Sequence, residues 1–332
     1  MRLRHSIVVT RLERTLQNIL QGKSLKVWAE DKTSELLKLA GQTHPPLELS
    51  EKVLRIRKIK KVRYKPGLPE RGRLATEDNG FSVELSPTKK YPAPWSRLSL
   101  SHEIAHTFLY NIENWPPLPL IHTEPGNPDV EWLCGYLSKC LLVPAEWLRS
   151  QIEHYPGLIS QDFSLDVLYQ LEKTFLVPWQ VVAERLVEDL GLWNCIILHF
   201  VKVSEVGKYA EGTPIWRLNW YTVPIGVNKG LFIPVGRRIE GIMKFPRARG
   251  TLAQFIVKST ERGRNEPLFS QRIKYGVLSS GATGNLGKFL HKHSGSDELR
   301  VHCAVGPLSA TSLFDRGRNQ EDASIMVMCF PL

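Results

Sequence analysis

The sequence predicts an α+β protein built from more than one unit, and three observations carry that expectation. Residues up to about 190 place apolar side chains at helical spacing, whereas from Trp193 onward the pattern changes to alternation of period two. Pro156-Gly157 marks a break inside the first half. A chain of 332 residues with 42% hydrophobic content has enough material for two or three domains with proper cores. The expected division is a mainly helical domain with a small sheet over 1–157, a helical linker over 158–192 and a C-terminal α+β domain over 193–332.

Each element follows from local pattern. Val8, Leu12, Leu16, Ile19 and Leu20 form one face of a helix near 7–21 that stops at Gly22. Further helices are expected near 27–40 and 47–58, followed by a hairpin over 61–86. Leu98, Leu100, Ile104, Ala105, Phe108 and Leu109 predict a largely apolar, buried helix. Leu133, Leu137 and Leu141 recur every fourth residue and Pro144 ends the run, which makes Glu131 the opening of another helix. Leu165–Phe175 and Pro178–Leu190 read as two more, with Pro178 at a first-turn position. Ile196–Val203, Ile215–Val223, Leu231–Val235, Arg300–Val305 and Ser324–Phe330 alternate as strands do, and Leu286–His293 is the one helical run among them.

The chemistry concentrates in His102-Glu103-Ile104-Ala105-His106. Residues four apart share a helix face, so both imidazoles can address one metal ion while Glu103 stands beside them as a base. Zn²⁺ polarises a carbonyl and brings coordinated water to a pKa near neutrality, so this grouping points to peptide-bond hydrolysis. Imidazoles and a carboxylate on a buried helix also need a partner, and a metal supplies it. A third protein ligand is required, and Glu131 is the best placed, in the first turn of the next helix. Asp129 and Glu124 compete for that role from the Pro-rich stretch around 116–128. Tyr110, His122 and His154 are the candidates for stabilising an oxyanion.

These residues carry a resemblance. Arg97-Leu98-Ser99-Leu100-Ser101-His102-Glu103-Ile104-Ala105-His106 resembles the "R-F-x-L-A-H-E-L-G-H" helix of the ImmA/IrrE metallopeptidases. The segment from Glu131 to Pro144 resembles their following helix, and Gly80–Leu85 is similar to the short strand before their zinc helix. Cys134-Gly135 stands where that family has Ala-Asn, and Leu137-Ser138 where it has Phe-Ala, which are small-for-small or apolar-for-apolar exchanges. The resemblance covers about residues 25 to 190 and implies His102, His106 and Glu131 as metal ligands, with Glu103 as general base. It further implies a zincin-like peptidase domain, a helix-turn-helix-like segment over 158–192, Zn²⁺ with Mn²⁺ as the alternative ion, and a helix-turn-helix repressor as substrate. In some members the C-terminal unit is a GAF-like sensor, which becomes the expectation for residues 193–332.

Charge and cysteine usage narrow the setting. Ten Lys/Arg against Glu70 alone place +9 of the net +11 within residues 52–73. With Ile56, Ile59, Val62 and Tyr64 interleaved, that stripe offers Lys58, Lys60, Lys61 and Arg63 to phosphate backbones or an acidic protein. Nothing in it reads bases, so nucleic-acid contact there is expected to be blind to sequence. A non-proteolytic regulator that binds through this stripe, with a structural metal site, is the alternative function. The helix over 178–190 carries Glu184, Glu188 and Asp189 against Arg185, the wrong sign for a DNA reader. Five cysteines, at 134, 140, 195, 303 and 329, form no CxxC pair and read as buried thiols of a cytoplasmic protein. No apolar run reaches the length of a membrane span and no signal segment opens the chain, so no membrane partner is expected. The glycines of Gly281–Gly287 mimic a dinucleotide loop but have too little chain after them, and His291 and His293 read as solvated.

Overall fold

The computed structural model describes residues 4–87, 93–113, 115–121, 126–153, 165–193, 195–203, 215–222, 268–274, 298–306 and 324–331. It is mixed α+β and divides into two compact units, one from Arg4 to Val182 and one from Ala183 to Leu332. Among the described residues, no helix is long and apolar enough to cross a membrane.

The first unit opens with α1 (Arg4–Thr15), α2 (Gln17–Leu20) and α3 (Leu25–Ala40). The single helix expected near 7–21 is broken at Leu16, yet Val8, Leu12, Leu16 and Leu20 all bury their side chains as one face. Gln21 and Gly22 then adopt the left-handed conformation that turns the chain back. Ser24 caps α3 by accepting from the Val27 amide, and Gly41 ends it at φ 72°. After α4 (Glu51–Ile56) come β1 (Ile59–Tyr64), β2 (Gly72–Glu77) and β3 (Gly80–Leu85), in sheet order β1-β3-β2.

That order corrects the hairpin expected over 61–86. The hairpin is confined to β2 and β3, joined at Asp78-Asn79, whereas β1 lies on the far side of β3 and runs parallel to it. Side-chain character fits the choice of centre. Phe81, Val83 and Leu85 of β3 are buried, while β1 and β2 are mostly polar and at least partly exposed.

The helix carrying the His-Glu-x-x-His motif is α5 (Ala93–Thr107), and it is held at both ends. Near its start Arg97 donates to the carbonyls of Leu176 (3.1 Å) and Leu47 (2.8 Å). At its end Arg57 donates to the Thr107 carbonyl at 2.7 Å and its hydroxyl at 2.9 Å, and lies over the Phe108 ring at 4.3 Å. A cation there satisfies an orphan carbonyl and meets the negative end of the helix dipole. Burial in turn draws the Arg57 pKa down to about 10. Beyond α5, the short strands β4 (Tyr110–Asn111) and β5 (Leu118–Pro119) pair antiparallel.

Helix α6 (Pro128–Leu142) begins with Pro128 at its first position and Asn127 accepting from the amides of Asp129 and Val130. Leu133, Leu137 and Leu141, the fourfold repeat of the sequence, are wholly buried. Where α5 crosses α6 the side chains are small: Ser101, Ala105, Cys134 and Ser138 are buried, and the Ser101 and Ser138 hydroxyls hydrogen-bond to each other. Small residues let the two backbones approach closely, which sets the catalytically suggestive faces of both helices side by side. Helices α7 (Ala145–Glu153) and α8 (Leu165–Phe175) follow, then α9 (Trp179–Glu184), which continues as a π-helical turn over Arg185–Asp189.

The second unit contains one antiparallel sheet of β6 (Ile196–Val203), β7 (Ile215–Thr222), β8 (Leu268–Lys274), β9 (Glu298–Gly306) and β10 (Ser324–Pro331), in the order β7-β6-β10-β9-β8. Four of these match the expected strands, and β8 was not foreseen. The expected strand over 231–235, the helix over 286–293 and the glycine loop over 281–287 lie outside the described residues.

Candidate metal centre

Residues four apart on α5 and the first turn of α6 converge as the spacing requires. His102, His106 and Glu131 each offer a ligand atom, all within 4.8 Å of one another. Glu131 Oε2 is 3.0 Å from His102 Nε2, and its Oε1 is 3.7 Å from His106 Nε2. Both rings thus turn Nε2 to one point, and two imidazoles with one carboxylate suit Zn²⁺ while leaving room for a further ligand. The group could hold a metal ion. Of the competing ligands, Asp129 is instead engaged by Arg11, 2.7 Å from Nε, and Glu124 lies outside the described residues.

Electrostatics fit the same purpose. Burial draws the His106 pKa down to about 4, aided by the neighbouring His102, so the ring stays neutral and able to bind metal well below neutral pH. The hydrogen bond with His102 is the first cause that holds Glu131 below the ordinary carboxylate range. Glu103 goes the other way. Burial lifts its pKa to about 7, with Glu131 adding repulsion while His102 and the Leu74 amide hold the rise back. Two carboxylates of one site are thus pushed to opposite sides of the ordinary range by their surroundings.

His106 has a second partner. Its Nδ1 lies 3.3 Å from Sγ of Cys134, a residue wholly buried on α6. A metal held at Nε2 would leave the proton on Nδ1, and that N–H would then donate to the sulfur, fixing tautomer and ring orientation. Cys134→Ala is expected to weaken Zn²⁺ affinity about tenfold and Cys134→Ser less, as measured by competition with a chromophoric chelator. Unchanged affinity in the alanine variant would show that packing alone orients His106.

The centre lies in a cleft of about 950 Å³. Glu70, Arg71, Gly72, Arg73, Leu74 and Thr76 line it on one side, and Tyr110, Pro119 and Ile121 are among the residues lining it elsewhere. Of the three residues considered for an oxyanion, Tyr110 lines this cleft, and His122 and His154 lie outside the described residues. The strand β2 was not anticipated as part of the site. The one signal for it was a glycine opening a short strand, since such a glycine often marks the close approach of another group.

The basic stripe reaches the cleft only at its end, through Arg71 and Arg73, whereas Lys58, Lys60, Lys61 and Arg63 do not line it. Lys60, Lys61 and Arg63 are exposed, but sheet pairing returns acids from outside the stripe. Glu84 stands between Arg63 and Arg73 in the ladder and pairs with Lys65 at 2.9 Å, while Glu77 reaches Lys61 at 3.9 Å. Arg57, counted in the stripe, is spent on the end of α5. Any duplex DNA binding here should therefore be shallow in salt dependence, and Ser at Lys58, Lys60, Lys61 and Arg63 should flatten it further, equally for all sequences. Anisotropy titrations at two salt concentrations check this, and a flat result in the unmutated protein removes nucleic acid from its partners.

Fold and site together define a mixed α+β protein with a candidate metal centre between two helices and an edge strand. No protein-family model matches the chain and no curated protein matches it.

Proposed function

We propose that the chain is a zinc-dependent endopeptidase, and the observation that carries this reading is the buried carboxylate of Glu103 beside a three-ligand centre in an open cleft. A structural metal site needs ligands alone, whereas here a proton-transfer group with a pKa near 7 lies next to them. When bound, Zn²⁺ would supply Lewis acidity toward the scissile carbonyl, with His102, His106 and Glu131 holding it. Glu103 takes a proton from the attacking water as its oxygen bonds to the carbonyl carbon. The same carboxyl then gives that proton to the leaving amine nitrogen as the C–N bond breaks.

The edge strand β2 supports a peptide as substrate. In its sheet it pairs with β3 alone among the described residues, and an extended segment can add to such an edge through main-chain hydrogen bonds. A substrate read this way must present a locally unfolded stretch. The resemblance of α5 and α6 to ImmA/IrrE peptidases favours a helix-turn-helix repressor, cleaved as a regulatory switch in the cytoplasm, with the second unit as its sensor. Mass spectrometry of candidate repressors after incubation with zinc-loaded protein tests the proposal. New internal termini that vanish with chelator are expected, and intact substrates throughout would refute it.

A further inference from the structure

Gly72 opens β2 and has no backbone reason to be glycine. Its φ lies outside the left-handed region, and it pairs with Leu85 in a regular ladder where glycine weakens a strand. The space beside it supplies the reason. A Cβ at Gly72 would lie 2.6 Å from Oε1 of Glu103, 3.0 Å from its Cγ and 3.1 Å from its Cδ, and these are the three nearest atoms. Glu103 is only 5% exposed, so its side chain fills the volume that any other residue at 72 would claim. Leu74, two residues on and facing the same way, contributes its backbone amide to the Glu103 carboxylate.

We infer that Gly72 is a positioning residue, whose missing side chain is the seat that holds the Glu103 carboxylate between β2 and the metal-ligating imidazoles. This rests on the peptidase reading above. The edge strand thereby sets the place of the base as well as that of the peptide. Any side chain at 72 drives the carboxylate out of that seat, and a displacement of about 1 Å at a reacting group lowers turnover on the order of a hundredfold.

The experiment uses the full zinc-loaded chain and two substitutions, Gly72→Ala and Glu103→Ala. Gly72→Ala should reduce kcat about a hundredfold with KM and Zn²⁺ affinity within about twofold, because neither the ligands nor the strand's pairing edge changes. Thermal melting of the four combinations gives a readout free of catalysis. Gly72→Ala should lower Tm by about 3 °C in the wild-type background and leave it level or raised where Glu103 is already Ala, since the clash is gone and alanine suits a strand better. Equal Tm shifts in both backgrounds would overturn the seat, and so would an undiminished kcat in Gly72→Ala. If the zinc-loaded wild-type protein hydrolyses no peptide, the peptidase reading falls and the base's role with it, while the melting cycle still reports whether the two residues touch.

Discussion

Glu103→Gln is expected to abolish peptide hydrolysis and, in the metal-free protein, to raise stability. The amide fills the same space and leaves His102, His106 and Glu131 untouched, so zinc content should remain near normal while proton transfer stops. The stability gain follows from burial. Glu103 has its pKa lifted to about 7 from an ordinary 4.5, so between these values the folded state holds a proton that the unfolded state has lost. Stability therefore falls as pH rises through that window, and the full penalty is present above pH 7, at most about 3 kcal/mol. Gln carries no charge to bury. With chelator present, the variant should melt above wild type at pH 8, the gap narrowing toward pH 4.5. His106 has the opposite sign, because its folded pKa is lowered to about 4 and its contribution is lost as pH falls below 6.5, but it is shared by both proteins and cancels in the comparison. A gap independent of pH, or hydrolysis by a zinc-loaded Glu103→Gln protein, would contradict the assignment.

The second large effect concerns Glu131→Gln. A ligand that binds only the folded state stabilises it by about 2.7 kcal/mol at a free concentration one hundred times its Kd. Zinc should thus raise the melting temperature of wild-type protein by roughly 5–10 °C. The neutral amide is a poor ligand, so the variant should lose most of this shift at the same zinc concentration. Asp129→Asn makes the contrast, because that carboxylate is paired with Arg11 and its loss should leave the zinc shift intact. A zinc shift that survives Glu131→Gln but disappears in Asp129→Asn would reverse the two roles.

Much of the first unit was legible in the sequence because helices report themselves locally. The fourfold leucines of α6, the apolar face of α1 and α2, and the His-Glu-x-x-His spacing each need only the 3.6-residue period to be read. The sequence ranked Glu131 above Asp129 by starting the helix at Glu131; α6 in fact starts at Pro128 and carries both acids in its first turn, and it is the pairing of Asp129 with Arg11 that sets them apart. Sheet partnership is another matter. Nothing within β1 says that it will cross to the far edge of β3 and run parallel, and the error carried into the charge reading. Counted along the chain, the stripe meets one acid, Glu70, but across the ladder it also meets Glu77 and Glu84. Gly72 could be seen as a glycine but not understood, since its meaning depends on Glu103, which reaches it through space.

Arg97 has a consequence for how much chain the motif helix requires. Its guanidinium holds the carbonyls of Leu47 and Leu176, which lie 50 and 79 residues away on either side. The N-terminal half of α5 is therefore a junction of three distant stretches, closed only once the chain as far as Leu176 has emerged and turned back. A nascent chain that has passed Glu131 already carries every ligand, yet still lacks one of the two carbonyls that fix the helix bearing two of them. Firm metal capture is consequently expected late in synthesis, once α8 has emerged and Leu176 can reach Arg97.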